Sequence, residues 1–122
     1  MNITKISAVV LLLSSYLFTI PSHAGDLIIN NQTSNPVTFH TEYPYQSPCS
    51  NSLGEMGVTP AFSMKTIPEK KMRLICNPTN RPQYKKCGLT FYNTANCSGN
   101  VKSTMNNADF YQPDAVVVTI KR

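Results

Sequence analysis

The chain runs to 122 residues, 41% hydrophobic and 14% charged, with eleven Lys and Arg against six Asp and Glu and a net charge of +5. That length leaves room for one domain with a modest core. The basic balance points toward anionic partners, but no recognition-helix signature and no aromatic pair of the RNP kind in a basic strand accompanies it, which excludes nucleic acid.

Lys5, the apolar run Ile6 to Ile20 and then Ser22-His23-Ala24 follow the order of a secretory leader: a positive start, a hydrophobic middle and small residues where a signal peptidase reads. Residues 1–24 are therefore expected to be a signal peptide. Residues 25–122 remain as one domain, secreted or periplasmic. The apolar run is short of the ~20 residues that span a bilayer and stops at Pro21, so no transmembrane anchor is expected after cleavage. No cysteine follows the cut, which removes the lipoprotein reading.

The mature chain reads as short strands punctuated by turns. Leu27 to Asn30 is a compact apolar strand, 31–36 a loop by composition, and Val37 to Tyr43 alternates Val37, Phe39, Thr41 and Tyr43 against Thr38, His40 and Glu42. An opening hairpin is expected from these. Pro44 to Pro60, rich in proline, glycine and serine, is expected to be a long irregular connection. Further strands are predicted at Phe62 to Ile67, Met72 to Cys76, Cys87 to Tyr92, Val101 to Met105 and Ala115 to Lys121, with a short helical turn near Asn106 to Phe110. No window sustains a helical apolar period over three turns. The expected fold class is all-β: a small antiparallel β-sandwich of about seven strands with two disulfides. Phe39, Phe62, Phe91 and either Tyr92 or Phe110 are expected to fill its interior.

Cys49, Cys76, Cys87 and Cys97 all fall in the exported part. Their spacings lack any C-x2-C pair and the compartment is oxidising, so disulfides are expected and zinc is not. Each bridge would contribute ~2 to 4 kcal/mol to a domain of small net stability. If Cys76 ends one strand and Cys87 begins the next, a simple hairpin joins them and leaves Cys49 to pair with Cys97. Consecutive pairing, Cys49 with Cys76 and Cys87 with Cys97, stays open as the alternative.

Tyr92-Asn93-Thr94-Ala95-Asn96-Cys97-Ser98-Gly99 resembles a βγ-crystallin hairpin, with Cys97 standing where the second aromatic falls, and Asn30-Asn31-Gln32-Thr33-Ser34 matches the calcium-binding partner motif only loosely. No cofactor and no metal are expected. A longer series of segments, Pro48-Cys49-Ser50, Gly54-Glu55-Met56-Gly57, Ser63-Met64-Lys65-Thr66-Ile67, Leu74-Ile75-Cys76 and Asn96-Cys97-Ser98-Gly99, resembles small exported proteins of Legionella-type intracellular bacteria. That resemblance covers roughly half of the mature chain and implies an exported, disulfide-bonded sandwich, released by type II secretion toward a host and virulence-associated. It transfers no active site.

Charge carries the functional signal. Lys65, Lys70, Lys71, Arg73, Arg81, Lys85 and Lys86 are opposed within their segment only by Glu69. If they converge, they form an anion-binding region for an acidic lipid, a lipopolysaccharide or a sulfated glycan. The competing explanation is that lysines guard sheet edges and keep an exported protein soluble. Catalysis finds little support. The mature chain has one histidine, His40, and with Glu42 it forms the only candidate acid-base pair; G-x-S-x-G, H-E-x-x-H and P-loop patterns are all missing. Tyr43, Tyr45, Tyr84 and Tyr111 lie in or beside loops and offer rings for stacking against a sugar. The expectation is a monomeric, non-enzymatic binding protein whose partner is an anionic lipid or glycan surface. The alternative is a host or envelope protein met through sheet edges or the 44–60 loop.

Overall fold

The computed structural model describes residues 24–122; residues 1–23, which hold all of the expected leader except Ala24, lie outside the described residues. Period-two burial defines the strands. In β1 (Leu27–Asn31) Leu27, Ile29 and Asn31 point inward while Ile28 and Asn30 point out. The chain continues through β2 (Thr38–Tyr43), β3 (Ser63–Ile67), helix α1 (Glu69–Cys76), β4 (Lys86–Tyr92), β5 (Val101–Asp109) and β6 (Val116–Ile120). Two three-stranded sheets result, ordered β3-β1-β6 and β2-β4-β5. Their inner faces share one core, in which Leu27, Ile29, Ile67 and Ile120 from the first sheet join Phe39, Leu89 and Phe91 from the second. The Phe39 and Phe91 rings lie 5.6 Å apart.

The mostly β character and the two disulfides agree with the sequence reading, and several finer expectations are corrected. Six strands are present among the described residues, not seven, because Met72 to Cys76 lies in α1. Pro68 precedes the helix, the Asp26 carboxylate accepts the Glu69 N–H at 2.8 Å, and Arg73 pairs with Glu69 one turn earlier. With only Met72 and Cys76 fully buried, the helix is too short to show a repeated apolar period. The expected opening hairpin is absent, since β1 pairs with β3 and β6 while β2 pairs with β4. One pairing is parallel, β1 with β6, so the arrangement is mixed rather than antiparallel. Strand β5 continues through the expected helical turn to Asp109. Phe62 is 69% exposed, and its φ of 51° turns its side chain away from the interior as the chain enters β3.

The bridges are Cys49–Cys97 and Cys76–Cys87. The second joins the end of a helix to the start of a strand, so it is not the bridge across a hairpin that the sequence suggested. The 44–60 connection is anchored along its length. Residues Ser50–Gly57 form a 3-10 segment, the Ser50 hydroxyl donates to Gly57 O at 2.6 Å and accepts the Phe39 N–H at 2.9 Å, and Ser47 Oγ accepts the Thr41 N–H. The loop 31–36 is tied down by two asparagines. Asn31 Nδ2 donates toward the carbonyls of Asn35, Thr59 and Pro60, and Asn93 Nδ2 toward Thr33 Oγ1 and the carbonyls of Asn35 and Pro36. Asn31 Oδ1 accepts from the N–H and hydroxyl of Thr33, so this side chain is committed to the protein and not to a calcium ion.

Candidate functional site

The Cys76–Cys87 bridge closes the segment that carries Arg81, Lys85 and Lys86 against the end of the helix that carries Lys70 and Arg73. A helix and a loop otherwise free to separate are thereby held side by side. Within the loop, Asn77 is the organising residue. Buried to 4% exposure, it accepts the Arg81 N–H at 3.0 Å and donates to Arg81 O at 2.8 Å, closing the 77–81 turn. The far side of the loop is pinned by Tyr45, whose hydroxyl meets Thr79 Oγ1 at 2.8 Å and whose ring meets Tyr84 edge-on at 5.7 Å.

Tyr111 follows β5 and stands between the two cationic elements. The Arg73 guanidinium lies over its ring at 4.5 Å from the centroid, and Lys85 Nζ comes within 5.7 Å of the same ring. Two cations twelve residues apart in sequence thus share one aromatic ring. Arg73 is held in place: its Nε donates to Phe110 O at 3.0 Å and its Nη2 pairs with Glu69 at 2.7 Å. The third guanidinium nitrogen, Nη1, takes part in neither contact. Beside Arg73 lies a groove of about 230 Å3 lined by Lys70, Leu74, Asn77, Pro78, Asn80 and Tyr111.

The seven basic residues singled out from the sequence therefore divide. Lys70 and Arg73 line the groove, Lys85 reaches its tyrosine, and Arg81 is exposed on the turn that Asn77 closes. Lys86 opens β4 opposite Asp109, which gives it an acidic neighbour. Lys71, half-buried, is not among the groove residues. Lys65 stands apart on β3, across from Ile29, in a separate hollow with Glu55, Val58 and Pro60. Tyr111, Asn77, Leu74, Pro78 and Asn80 were not assigned to the basic region from the sequence. The spacing of Cys76 and Cys87 around a loop of three cations and two prolines was the signal that could have drawn them in.

The candidate acid-base pair also comes together. His40 Nε2 is 3.5 Å from Glu42 Oε1 and 3.0 Å from the Tyr92 hydroxyl, and the Thr90 hydroxyl donates to the same Glu42 oxygen at 2.9 Å. These four side chains lie on the β2-β4 face opposite Phe39, where Thr90 is buried. The tyrosines do not form one platform. Tyr43 lies over Gly88, where an added Cβ would run into its ring, and its hydroxyl donates to Asn106 O. Tyr45 and Tyr84 brace the loop, and only Tyr111 faces the groove.

Chemically, ammonium and guanidinium groups donate hydrogen bonds and accept none, so the groove suits sulfate, phosphate or carboxylate groups. No family model, curated protein or solved structure matches the chain.

Proposed function

We propose that the chain is an exported, non-enzymatic binding protein, a two-layer β-sandwich acting in the periplasm or outside the cell, that docks to an anionic surface through α1 and the disulfide-closed loop. The surface is an acidic lipid, a lipopolysaccharide or a sulfated glycan. One observation carries this reading: Arg73 and Lys85, from different elements, are gathered on the Tyr111 ring beside Lys70. Cations placed only to keep a protein soluble have no reason to converge, because their mutual repulsion favours dispersal. Two disulfides accord with an oxidising compartment, and among the described residues no helix is long and apolar enough to cross a membrane.

The test is charge removal. Changing Lys70, Lys71, Lys85 and Lys86 together to glutamine should reduce binding to heparin or phosphatidylserine vesicles by about tenfold or more, as expected when several cations near an anionic surface are lost. Unchanged binding by the folded variant overturns the proposal.

A second reading rests on a different surface. The outward positions of β3-β1-β6, namely Met64, Thr66, Ile28, Asn30, Val117 and Thr119, carry no charge, and Met64 and Val117 are 62% and 55% exposed. On this reading the chain is a protein-interaction module whose binding is insensitive to the lysine substitutions.

A further inference from the structure

The groove beside Tyr111 differs from a flat patch of lysines in two respects. It is concave, and its lining is mixed: Leu74 and Pro78 are apolar, while Asn77, Asn80 and Tyr111 are residues with polar groups. A bilayer surface meets cations at the plane of its headgroups and makes no use of a recess with an apolar wall. A pyranose ring is matched to such a recess, because its C–H faces pack against apolar side chains while its hydroxyls bond amides and phenols. An ester-linked sulfate or phosphate on that ring would then meet Lys70 and Arg73 in the groove wall and feel the attraction of Lys85, whose Nζ lies 5.7 Å from the centroid of the Tyr111 ring. The groove, about 230 Å3, falls below the ~300 Å3 at which drug-sized ligand cavities begin, so it takes one sugar ring and not a chain.

Preorganisation points the same way. Arg73 is fixed by Glu69, Phe110 O and Tyr111, and the turn that carries Asn80 and Arg81 is closed by Asn77 and by the Cys76–Cys87 bridge. A site meant only for diffuse attraction gains nothing from cations held in one geometry, whereas a discrete ligand loses less entropy on binding to one. We infer that the groove between α1 and the 77–81 turn is a specific site for a single pyranose bearing a sulfate or phosphate ester. The anionic group is held by Lys70, Arg73 and Lys85, and the ring lies against Leu74 and Pro78. This rests on the anionic-surface reading and narrows it from a class of surfaces to one sugar unit.

Leu74 makes the inference separable from its parent. At 60% exposure on a helix surface, it tolerates Leu74→Lys without disturbing the core. Diffuse docking gains from the extra positive charge, while a sugar site loses its apolar wall and part of its volume. The experiment titrates the intact disulfide-bonded protein with a sulfated heparin disaccharide, with glucosamine 6-phosphate and with phosphatidylserine vesicles, following backbone amide resonances at Leu74, Asn80 and Tyr111. The expected result is saturable one-to-one binding of at least one saccharide, with shifts confined to the groove. Leu74→Lys should weaken that binding by about tenfold, the scale of a lost apolar contact of roughly 1.4 kcal/mol, and leave vesicle binding equal or stronger. The tighter of the two sugars identifies whether the source is a sulfated or a phosphorylated glycan. Vesicle binding without saccharide binding, or saccharide binding that Leu74→Lys leaves equal or improves, overturns the inference while leaving surface docking in place. If neither saccharide nor vesicle binds, both readings fall.

Discussion

Asn31 offers the sharpest test of how the 31–36 loop is held against Thr59 and Pro60, because almost every polar atom of its side chain is committed. Its Oδ1 accepts the Thr33 N–H at 3.0 Å and the Thr33 hydroxyl at 2.7 Å, and its Nδ2 donates to the carbonyls of Asn35, Thr59 and Pro60 at 2.8, 3.3 and 3.0 Å. Asn31→Ala does not orphan those carbonyls. Asn35 O keeps Thr33 Oγ1 and Asn93 Nδ2, Thr59 O keeps the Val37 N–H, and Pro60 O keeps Ser63 Oγ. The buried Thr33 N–H is what loses its partner, at ~1 to 3 kcal/mol, and the bonds donated by the two amide hydrogens add ~1 each, for a total of ~3 to 5 kcal/mol. Asn31→Asp retains an acceptor for Thr33 but sets a carboxylate oxygen against three carbonyls in a site 1% exposed. An uncompensated buried charge costs ~3 to 5 kcal/mol on top of the same lost amide donations, so the aspartate variant should be the less stable of the two. Urea unfolding of the disulfide-intact proteins at neutral pH should rank wild type above Asn31→Ala above Asn31→Asp, with midpoints separated by ~1 to 2 M. An aspartate variant as stable as the alanine one, or either within ~0.5 kcal/mol of wild type, would show that the Asn31 amide does not anchor this loop.

Loop entropy ranks the two bridges. Cys49–Cys97 spans a separation of 48 residues and Cys76–Cys87 one of 11, so replacing both cysteines of a pair by alanine should cost ~4 and ~3 kcal/mol respectively, read as loss of thermal stability. The reverse order would show that packing around Cys76 and Cys87, not chain restriction, dominates. Gly57→Ala should be among the most damaging single changes, at ~3 kcal/mol or more by calorimetry, because its Cβ would collide with the Ser50 carbonyl and break the Ser50 link to Phe39. Lys65→Gln, far from Tyr111 and beside Glu55, should leave binding to heparin within about twofold of wild type, where Lys85→Gln lowers it severalfold. Equal effects on an affinity column would mean that net charge, not the groove, sets the affinity.

Strands were legible where alternation is strong. Leu27 to Asn30 is a compact apolar run and Val37 to Tyr43 alternates in sequence, and the structure keeps both within a residue of the predicted bounds, although Thr38 is buried beside Val37 and Phe39. Partnership was not legible, since pairing depends on contacts far along the chain: Leu27 meets Ile67 on one side and Val116 on the other, and no local pattern encodes a parallel neighbour. Helix α1 was hidden by its brevity. Ile75 and Cys76 suit a strand as well as a helix, and what decides is the Asp26 carboxylate waiting at the Glu69 N–H, a contact from forty-three residues away. For the site, composition located the cations but not which of them meet. Lys65 and Lys70 are five residues apart and end in different hollows, whereas Arg73 and Lys85 are drawn together by a tyrosine that lies outside the basic segment altogether.

Ionic strength is the most direct probe of docking by Lys70, Arg73 and Lys85. Exposed charges are screened over ~10 Å at 0.1 M salt and ~3 Å at 1 M, so an interaction carried by Lys70, Arg73 and Lys85 should weaken steeply as salt rises. Affinity for heparin or for phosphatidylserine vesicles, measured across that range at constant pH, is expected to fall by at least about tenfold. Affinity that stays level from low to high salt would contradict the account.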